Sequence, residues 1–398
     1  MQNQSDYATA LEALQTATKF GINPTLENAF ALCDALGRPQ DKYRAIQVTG
    51  TNGKTSTCRY IAEILRVLGY RVGLYTSPEL VRVEERVEID GEVVAPETFA
   101  AAILKVSRLG LPYTQFELLT AAALEIFAEQ EVEYAVLEVG MGGRWDATSV
   151  VTPALAMITG VGLDHCAILG DTLEAIACEK AAIIKPGSVA VVGRVPEPTL
   201  SIFQEQAQRV DAPFTHYTGA CPDFTPTYQG ANAALAACAV GRLLGREFGS
   251  DVETVLRELP IPGRFETLRK DPLLLIDAAH NPQSAHFLAA ALQERFTESE
   301  LGQTTLLLAA LSDKDAAGIA AELTPLFGRV ALTQTASPRA LPVAELAAVV
   351  GESASGAPIL YPDVKSALDG LSSADLPVVA TGSITLAGEV KALMCDPS

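Results

Sequence analysis

Lys54 and Thr55 stand inside the run Gly50-Thr51-Asn52-Gly53-Lys54-Thr55-Ser56, and those residue types in that order suit the binding of phosphate. Ala45-Ile46-Gln47-Val48 reads as a short buried strand and Thr49 to Gly53 as a tight turn of small residues. After Ser56, Ile61, Ile64, Leu65 and Leu68 recur at helical spacing. Strand, glycine turn, Lys-Thr and helix make the P-loop arrangement. Backbone N–H groups and a helix N-terminus surround phosphate oxygens, the lysine neutralises charge, and a hydroxyl faces Mg2+. The usual pattern has a glycine where Val48 stands, so a chance turn with a surface lysine is the competing reading.

Other polar residues end predicted strands, the place where open α/β sheets bind ligands. Ser77 follows a strand at 71–75, Glu138 lies within one at 134–140, and Asp164-His165 follow one at 154–162. A hydroxyl, a carboxylate and an imidazole beside a phosphate loop suit a Mg2+ environment. Ser77 before Pro78 equally starts a turn, and His165 equally fits a hydrogen-bonded structural role. Glu138, between Leu137 and Val139, is harder to set aside, because an unpaired carboxylate in a buried strand is costly. The glycines of 140–146 let backbone approach a ligand or simply turn the chain. Trp145, the sole tryptophan, lines a flat ring's pocket or packs, and Lys180 by itself reads as a helix-surface lysine. Farther on, Asp277, His280 and Asn281 end a strand beginning at Leu273, and Pro282 suits the start of a helix. Arg264, in Pro262-Gly263-Arg264-Phe265-Glu266, serves a nucleotide phosphate or a domain-interface salt bridge.

The elements that position these residues alternate. A leading helical stretch at 7–37 precedes the P-loop strand. Residues 86–94 read as a hairpin turning at Asp90-Gly91, 116–130 and 172–185 as helices, and 188–193 as a strand. Strands separated by helices imply a mostly parallel, doubly wound sheet. Prolines and glycine at 257–266 mark a domain boundary. Beyond it, strands at 273–280, 304–311, 329–335, 358–361 and 376–383 alternate with helices, enough for an independent α/β domain.

The chain's 398 residues are long for one core, and 48% hydrophobic with 19% charged residues suits a globular protein. Seven scattered cysteines without a CxxC pair give no zinc site or disulfide framework. A net charge of −19 argues against nucleic acid, which demands a basic footprint. No run reaches the ~20 apolar residues of a membrane span, and the first residues lack signal-peptide character, so cytoplasm is the expected location.

Seven segments, in order, carry a resemblance: 50–56, 76–91, 137–151, 162–187, 262–266, 277–282 and 311–323. Together they resemble the folylpolyglutamate synthase/dihydrofolate synthase family of the Mur ligase superfamily. The resemblance implies an α/β chain, a P-loop-containing doubly wound parallel-sheet ATPase domain (1–258) followed by a smaller Rossmann-like α/β domain (264–398). It implies an ATP-dependent ligase that adds L-glutamate to a folate-type carboxylate through an acyl phosphate. A related Mur-type amino-acid ligase and a non-catalytic nucleotide-binding regulator are the alternatives. Position by position, Gly50, Thr51, Asn52, Gly53, Lys54, Thr55 and Ser56 match the ATP loop. Ser77 and Glu138 match Mg2+ ligands, His165 a ligand of a second metal site, and Lys180 a lysine that the resemblance implies to be carbamylated. Lys54, Glu138, His165 and Lys180 form the expected catalytic set. Asn232, Arg264 and Asp277 match nucleotide contacts, to which His280 is added from its strand-end position. Thr114, Gln115, Phe116, Glu117, Arg144, Trp145 and Asp146 match regions lining a pterin pocket. Expected partners are ATP, Mg2+ at two sites, a folate-type molecule and L-glutamate, with no nucleic acid or membrane, and a monomeric state. Among several departures, Glu79 stands after Ser-Pro where His or Phe is usual, adding negative charge near an anionic substrate.

Overall fold

The computed structural model describes residues 2–17, 25–221, 224–351 and 356–395. Part of the predicted leading helical stretch, 18–24, lies outside them; helices Gln2–Thr16 and Glu27–Ala35 stand on either side. The chain forms two compact units, residues 1–221 with 231–258, and residues 222–230 with 259–398.

In the first unit the strands are β1 (Arg44–Thr49), β2 (Val72–Tyr75), β3 (Val87–Ile89), β4 (Glu92–Val93), β5 (Tyr134–Glu138), β6 (Leu155–Ile158), β7 (Val189–Val192) and β8 (Phe214–His216). Their order is β4-β3-β2-β5-β1-β6-β7-β8. Pairing is parallel from β2 to β8, and antiparallel through the β2–β3 and β3–β4 edge. The expected turn at Asp90-Gly91 closes that edge hairpin, both residues taking positive φ, 52° and 87°. From β1 the chain leaves for β2 on one side, and from β5 it leaves for β6 on the other. The carboxyl ends of these neighbouring strands are therefore the switch point where doubly wound sheets bind ligands. Val48 pairs with Glu138 there, which brings the end of β5 beside the loop that follows β1.

That position is held by large cores. Helices Pro96–Ser107 and Gln115–Glu129 bury Phe99, Ile103, Leu118, Leu124 and Phe127; helices Leu173–Ala181 and Glu197–Arg209 bury Ile176 and Phe203. Each such side chain contributes roughly 1.5–3 kcal/mol by leaving water. The helix predicted at 172–185 runs only over Leu173–Ala181, and Pro186 disfavours its continuing through Lys185. The P-loop helix begins earlier than predicted, at Lys54, with Gly53 as its left-handed N-cap (φ 82°). A side chain at Gly53 would also put its Cβ 2.7 Å from Asn232 Oδ1.

The second unit holds β9 (Glu266–Lys270), β10 (Leu273–Ile276), β11 (Thr305–Leu308), β12 (Arg329–Leu332), β13 (Ile359–Leu360) and β14 (Val378–Thr381), ordered β13-β12-β11-β14-β10-β9. All pairs are parallel except β9–β10. Strand β9 begins inside the stretch read from sequence as a boundary. Its core packs Leu275, Leu288, Leu292, Leu306 and Ile319.

Candidate functional site

Stitching around the P-loop comes from its own sequence. Thr51 N–H donates to Gly160 O (3.1 Å), Thr51 Oγ1 to Gly162 O (3.0 Å), and Thr159 Oγ1 to Asn52 O (2.6 Å), which ties the loop to the chain after β6. Lys54 Nζ donates to Gly50 O and Thr51 O at 3.1 and 3.3 Å, so its ammonium lies against the loop. Asn232, far away in sequence, lies against Gly53.

Glu138 is 1% exposed. Its Oε1 accepts from Thr55 Oγ1 at 2.9 Å and its Oε2 from Ser77 N–H at 3.1 Å. The structure therefore brings together Thr55 of the P-loop, the Ser77 backbone N–H and Glu138. Oxygen donors from a hydroxyl and a carboxylate suit a hard cation such as Mg2+. Among the described residues, no group of three His, Cys, Asp or Glu could hold a metal unaided, so phosphate oxygens would have to complete a cation's shell.

Lys180 is not the surface lysine its composition suggests. It is 3% exposed. Burial first, then the positive charge of Lys54, lower its ammonium to about 7, against the opposing pull of Asp164 and Asp146. Its helix lies against the glycine loop: a Cβ at Gly143 would come within 2.9 Å of Glu179 O and 3.3 Å of Lys180 O. His165 sits at positive φ (54°) ahead of the short helix Cys166–Leu169; its N–H donates to Asp164 Oδ1 at 2.9 Å. Nε2 of His165 stands 3.9 Å from Asp164 Oδ2.

Residues expected around a pterin divide by role. Thr114 and Glu117 form a capping box on helix Gln115–Glu129, each side chain bonding the other's backbone. Gln115 Nε2 donates to Leu14 O (2.9 Å). The Phe116 ring lies 6.2 Å from that of Tyr75, and a Cβ at Gly140 would reach Phe116 Cζ at 2.8 Å, so ring and glycine loop are adjacent. Arg144 is half-exposed and bonded to Glu179 Oε1 (2.9 Å) and Cys178 O (3.2 Å). Trp145 is 46% exposed. Asp146 is buried and caps the turn 147–150; burial raises its carboxyl, opposed by bonds from Thr148, Met141 and Gly140.

Sequence reasoning missed the polar network beneath this loop. Gln47, buried in β1, donates through Nε2 to Thr148 Oγ1 (3.0 Å) and Ser149 Oγ (2.8 Å). Those hydroxyls pass their hydrogens to Asp146 Oδ1 and Gly143 O, both at 2.5 Å. Thr49, on the same strand face, donates to Gly142 O at 2.6 Å. Lys185 Nζ adds bonds to Ser149 O (2.5 Å) and Val151 O (2.7 Å). The strand that carries the P-loop thus also sets the position of the glycine loop. A polar residue inside a buried strand was the available signal, the same one that drew attention to Glu138.

In the second unit, Asp277 is buried at the end of β10. Its Oδ2 accepts from Phe265 N–H and its Oδ1 from Ala279 N–H, both at 2.8 Å. Burial raises its carboxyl, and the Arg264 guanidinium is the leading opposing influence. His280 Nδ1 faces Ala278 O at 2.9 Å, and Asn281 caps helix Pro282–Arg295, whose first residue is the expected proline. Arg264, Asp277 and His280 are therefore neighbours in one turn-rich corner of this unit.

A P-loop sheet followed by a second parallel sheet with acidic and imidazole groups at its carboxyl edge is the organisation of a Mur-type ligase. The Mur ligase middle domain model matches residues 48–220 and the Mur ligase glutamate ligase domain model residues 263–383. The dihydrofolate synthase/folylpolyglutamate synthase of Mycobacterium tuberculosis is 35% identical over 384 residues, covering 83% of this chain and 78% of its own. A crystal structure of Mycobacterium tuberculosis folylpolyglutamate synthase complexed with ADP and AMPPCP superposes with a TM-score of 0.90 at 32% identity, covering 99% of both chains. A bifunctional folylpolyglutamate synthase/dihydrofolate synthase with Mn, AMPPNP and L-glutamate bound gives a TM-score of 0.85 at 28% identity, covering 98% of both chains. The chain belongs to the dihydrofolate synthase/folylpolyglutamate synthase family of Mur ligases. Its class is that of ATP-dependent ligases, and no described helix is long and apolar enough to cross a membrane.

Proposed function

We propose that this ligase adds L-glutamate to the carboxylate of dihydropteroate and of reduced folates, at the expense of ATP. The observation that carries the reading is Glu138, a buried carboxylate bridging the P-loop hydroxyl of Thr55 and the backbone of Ser77. The names of its relatives supply the acceptor and the amino acid.

A carboxylate is a poor electrophile. One of its oxygens attacks the γ-phosphorus of ATP and ADP leaves. The acyl phosphate that results is attacked at carbon by the neutral amine of glutamate. The amide forms, and phosphate departs with the former carboxylate oxygen. Lys54 and the loop N–H groups stabilise the charge that develops on the transferred phosphoryl group. Thr55, Ser77 and Glu138 would hold a divalent cation, which supplies further neutralisation of phosphate charge.

Lys180 is well suited to carbamylation: that reaction needs a neutral amine, and burial together with Lys54 favours one. Lys180 and His165 are read as ligands of a second cation site from the family resemblance, which the neutral amine favoured at Lys180 suits. Asn232 and the P-loop are read as nucleotide contacts in the first unit; Arg264, Asp277 and His280 keep that reading in the second. Phe116, Arg144, Trp145 and Asp146 are read as acceptor contacts, whereas Thr114, Gln115 and Glu117 serve that region by fixing the start of a helix. Residues 1–258 are read as the ATP-binding domain and 264–398 as the glutamate-ligase domain, of a cytoplasmic monomer.

Acceptor labelled with 18O in its carboxylate tests the acyl phosphate. One labelled oxygen per turnover should appear in inorganic phosphate. Phosphate free of label, with amide formed, would overturn the mechanism.

A further inference from the structure

The family resemblance brings Glu79 near an anionic acceptor, and the structure shows what its charge meets. Glu79 Oε2 accepts from Arg86 Nε at 2.5 Å and lies 2.5 Å from Arg86 Nη2. Arg86 is only 12% exposed in its side chain, so its guanidinium cannot rely on water for compensation. It also lies beside the hydroxyl of Tyr75, lowering that group against the rise that burial causes. Tyr75 in turn contacts Phe116, the ring adjacent to the glycine loop.

The loop carrying the pair is firmly braced. Thr76 N–H donates to Arg86 O (2.9 Å), which closes its base. Glu85 Oε2 accepts from the N–H groups of Leu80 and Val81, at 3.2 and 3.0 Å, and Tyr7 OH donates to Glu84 at 2.9 Å. Ser77, two residues before Glu79, is bonded to Glu138. The pair therefore stands on the fixed loop that begins at the carboxylate beside the phosphate cradle.

We propose that Glu79 is a specificity-determining residue that neutralises Arg86 and so limits the attraction of this loop for acceptors with several carboxylates. This inference rests on the folate-ligase reading above. Dihydropteroate brings one carboxylate, which must go to the reacting position. A polyglutamylated folate brings additional ones, held along the chain that leads away from it. With Glu79 present, those extra carboxylates meet a neutral ion pair. Without its charge, they meet a partly buried cation.

Glu79→Gln preserves a hydrogen-bond acceptor for Arg86 and removes the charge. The measurement is kcat/KM for dihydropteroate and for a tetrahydrofolate bearing three glutamates, at low and high salt, in parent and variant. The ratio of the second to the first should rise about three- to tenfold in Glu79→Gln, and the rise should shrink as salt screens the exposed carboxylates. Arg86→Met, which leaves Glu79 unopposed, should move the ratio the other way. A ratio within twofold of the parent in Glu79→Gln, with both acceptors turned over, would overturn the proposal. Failure of the parent to turn over either acceptor would instead overturn the functional reading on which it rests.

Discussion

The Thr55 hydroxyl donates to Glu138 at 2.9 Å, linking the first turn of the P-loop helix to the end of the neighbouring strand. A hydroxyl one residue beyond the P-loop lysine and a carboxylate 83 residues later thus face a common point. Glu138 is buried there, and an apolar residue of the same volume would not carry its desolvation cost.

Glu138→Gln keeps that volume and one acceptor oxygen but loses the charge that binds a hard cation. Ligase turnover should fall by about 10²–10³-fold, comparable to the loss of a charge-stabilising group elsewhere in enzymes. The Mg2+ concentration for half-maximal rate should rise as well. Parental rate and Mg2+ dependence in the variant would show Glu138 to be structural.

Lys180→Ala separates two roles. An ordinary surface lysine would give a change within ~0.5 kcal/mol in stability and no change in rate. Lys180 is buried beside the charges of Lys54, Asp164 and Asp146, so the variant should lose turnover while still folding. Partial recovery with a short carboxylic acid would support a carbamate at that position. Full activity without any additive would eliminate it.

Lys185 gives a pH test away from the proposed catalytic groups. Burial lowers it from 10.5 to about 8, while two backbone carbonyls hold its amine. Between pH 8 and 10.5 the unfolded chain therefore binds more protons here than the folded one, and stability rises with pH over that window. Below about 8 the penalty of burying the ammonium is fully present. In urea unfolding at about pH 7 and pH 9.5, the parent should gain stability relative to Lys185→Met as pH rises. A gap between the two that is constant or moves the other way would contradict the assignment.

Much of this was legible in the sequence because it rests on local rules. Strand, glycine turn and Lys-Thr specify the P-loop over a few residues, and Asp90-Gly91 specifies its hairpin. Glu138 stood out because a buried carboxylate is costly. Gln47 carries the same signal in weaker form, since a neutral amide costs less to bury, and its partners Thr148 and Ser149 lie about a hundred residues away. Lys180 was visible only through family resemblance, because its burial comes from packing against the glycine loop. Strands β8 and β9 carry little signal for a different reason. They are short edge strands with half-buried residues, so neither a continuous apolar run nor a clean alternation marks them. The Glu79–Arg86 pair depends on how one loop folds back on itself, which spacing alone does not reveal.

Phosphate release measured with dihydropteroate or tetrahydrofolate, each with and without L-glutamate, tests the central claim most directly. Sustained release is expected only when acceptor and L-glutamate are both present, one phosphate for each amide formed, and none from Lys54→Ala. Release that proceeds without either substrate, or amide formation that survives the loss of Lys54 at the parental rate, would contradict it.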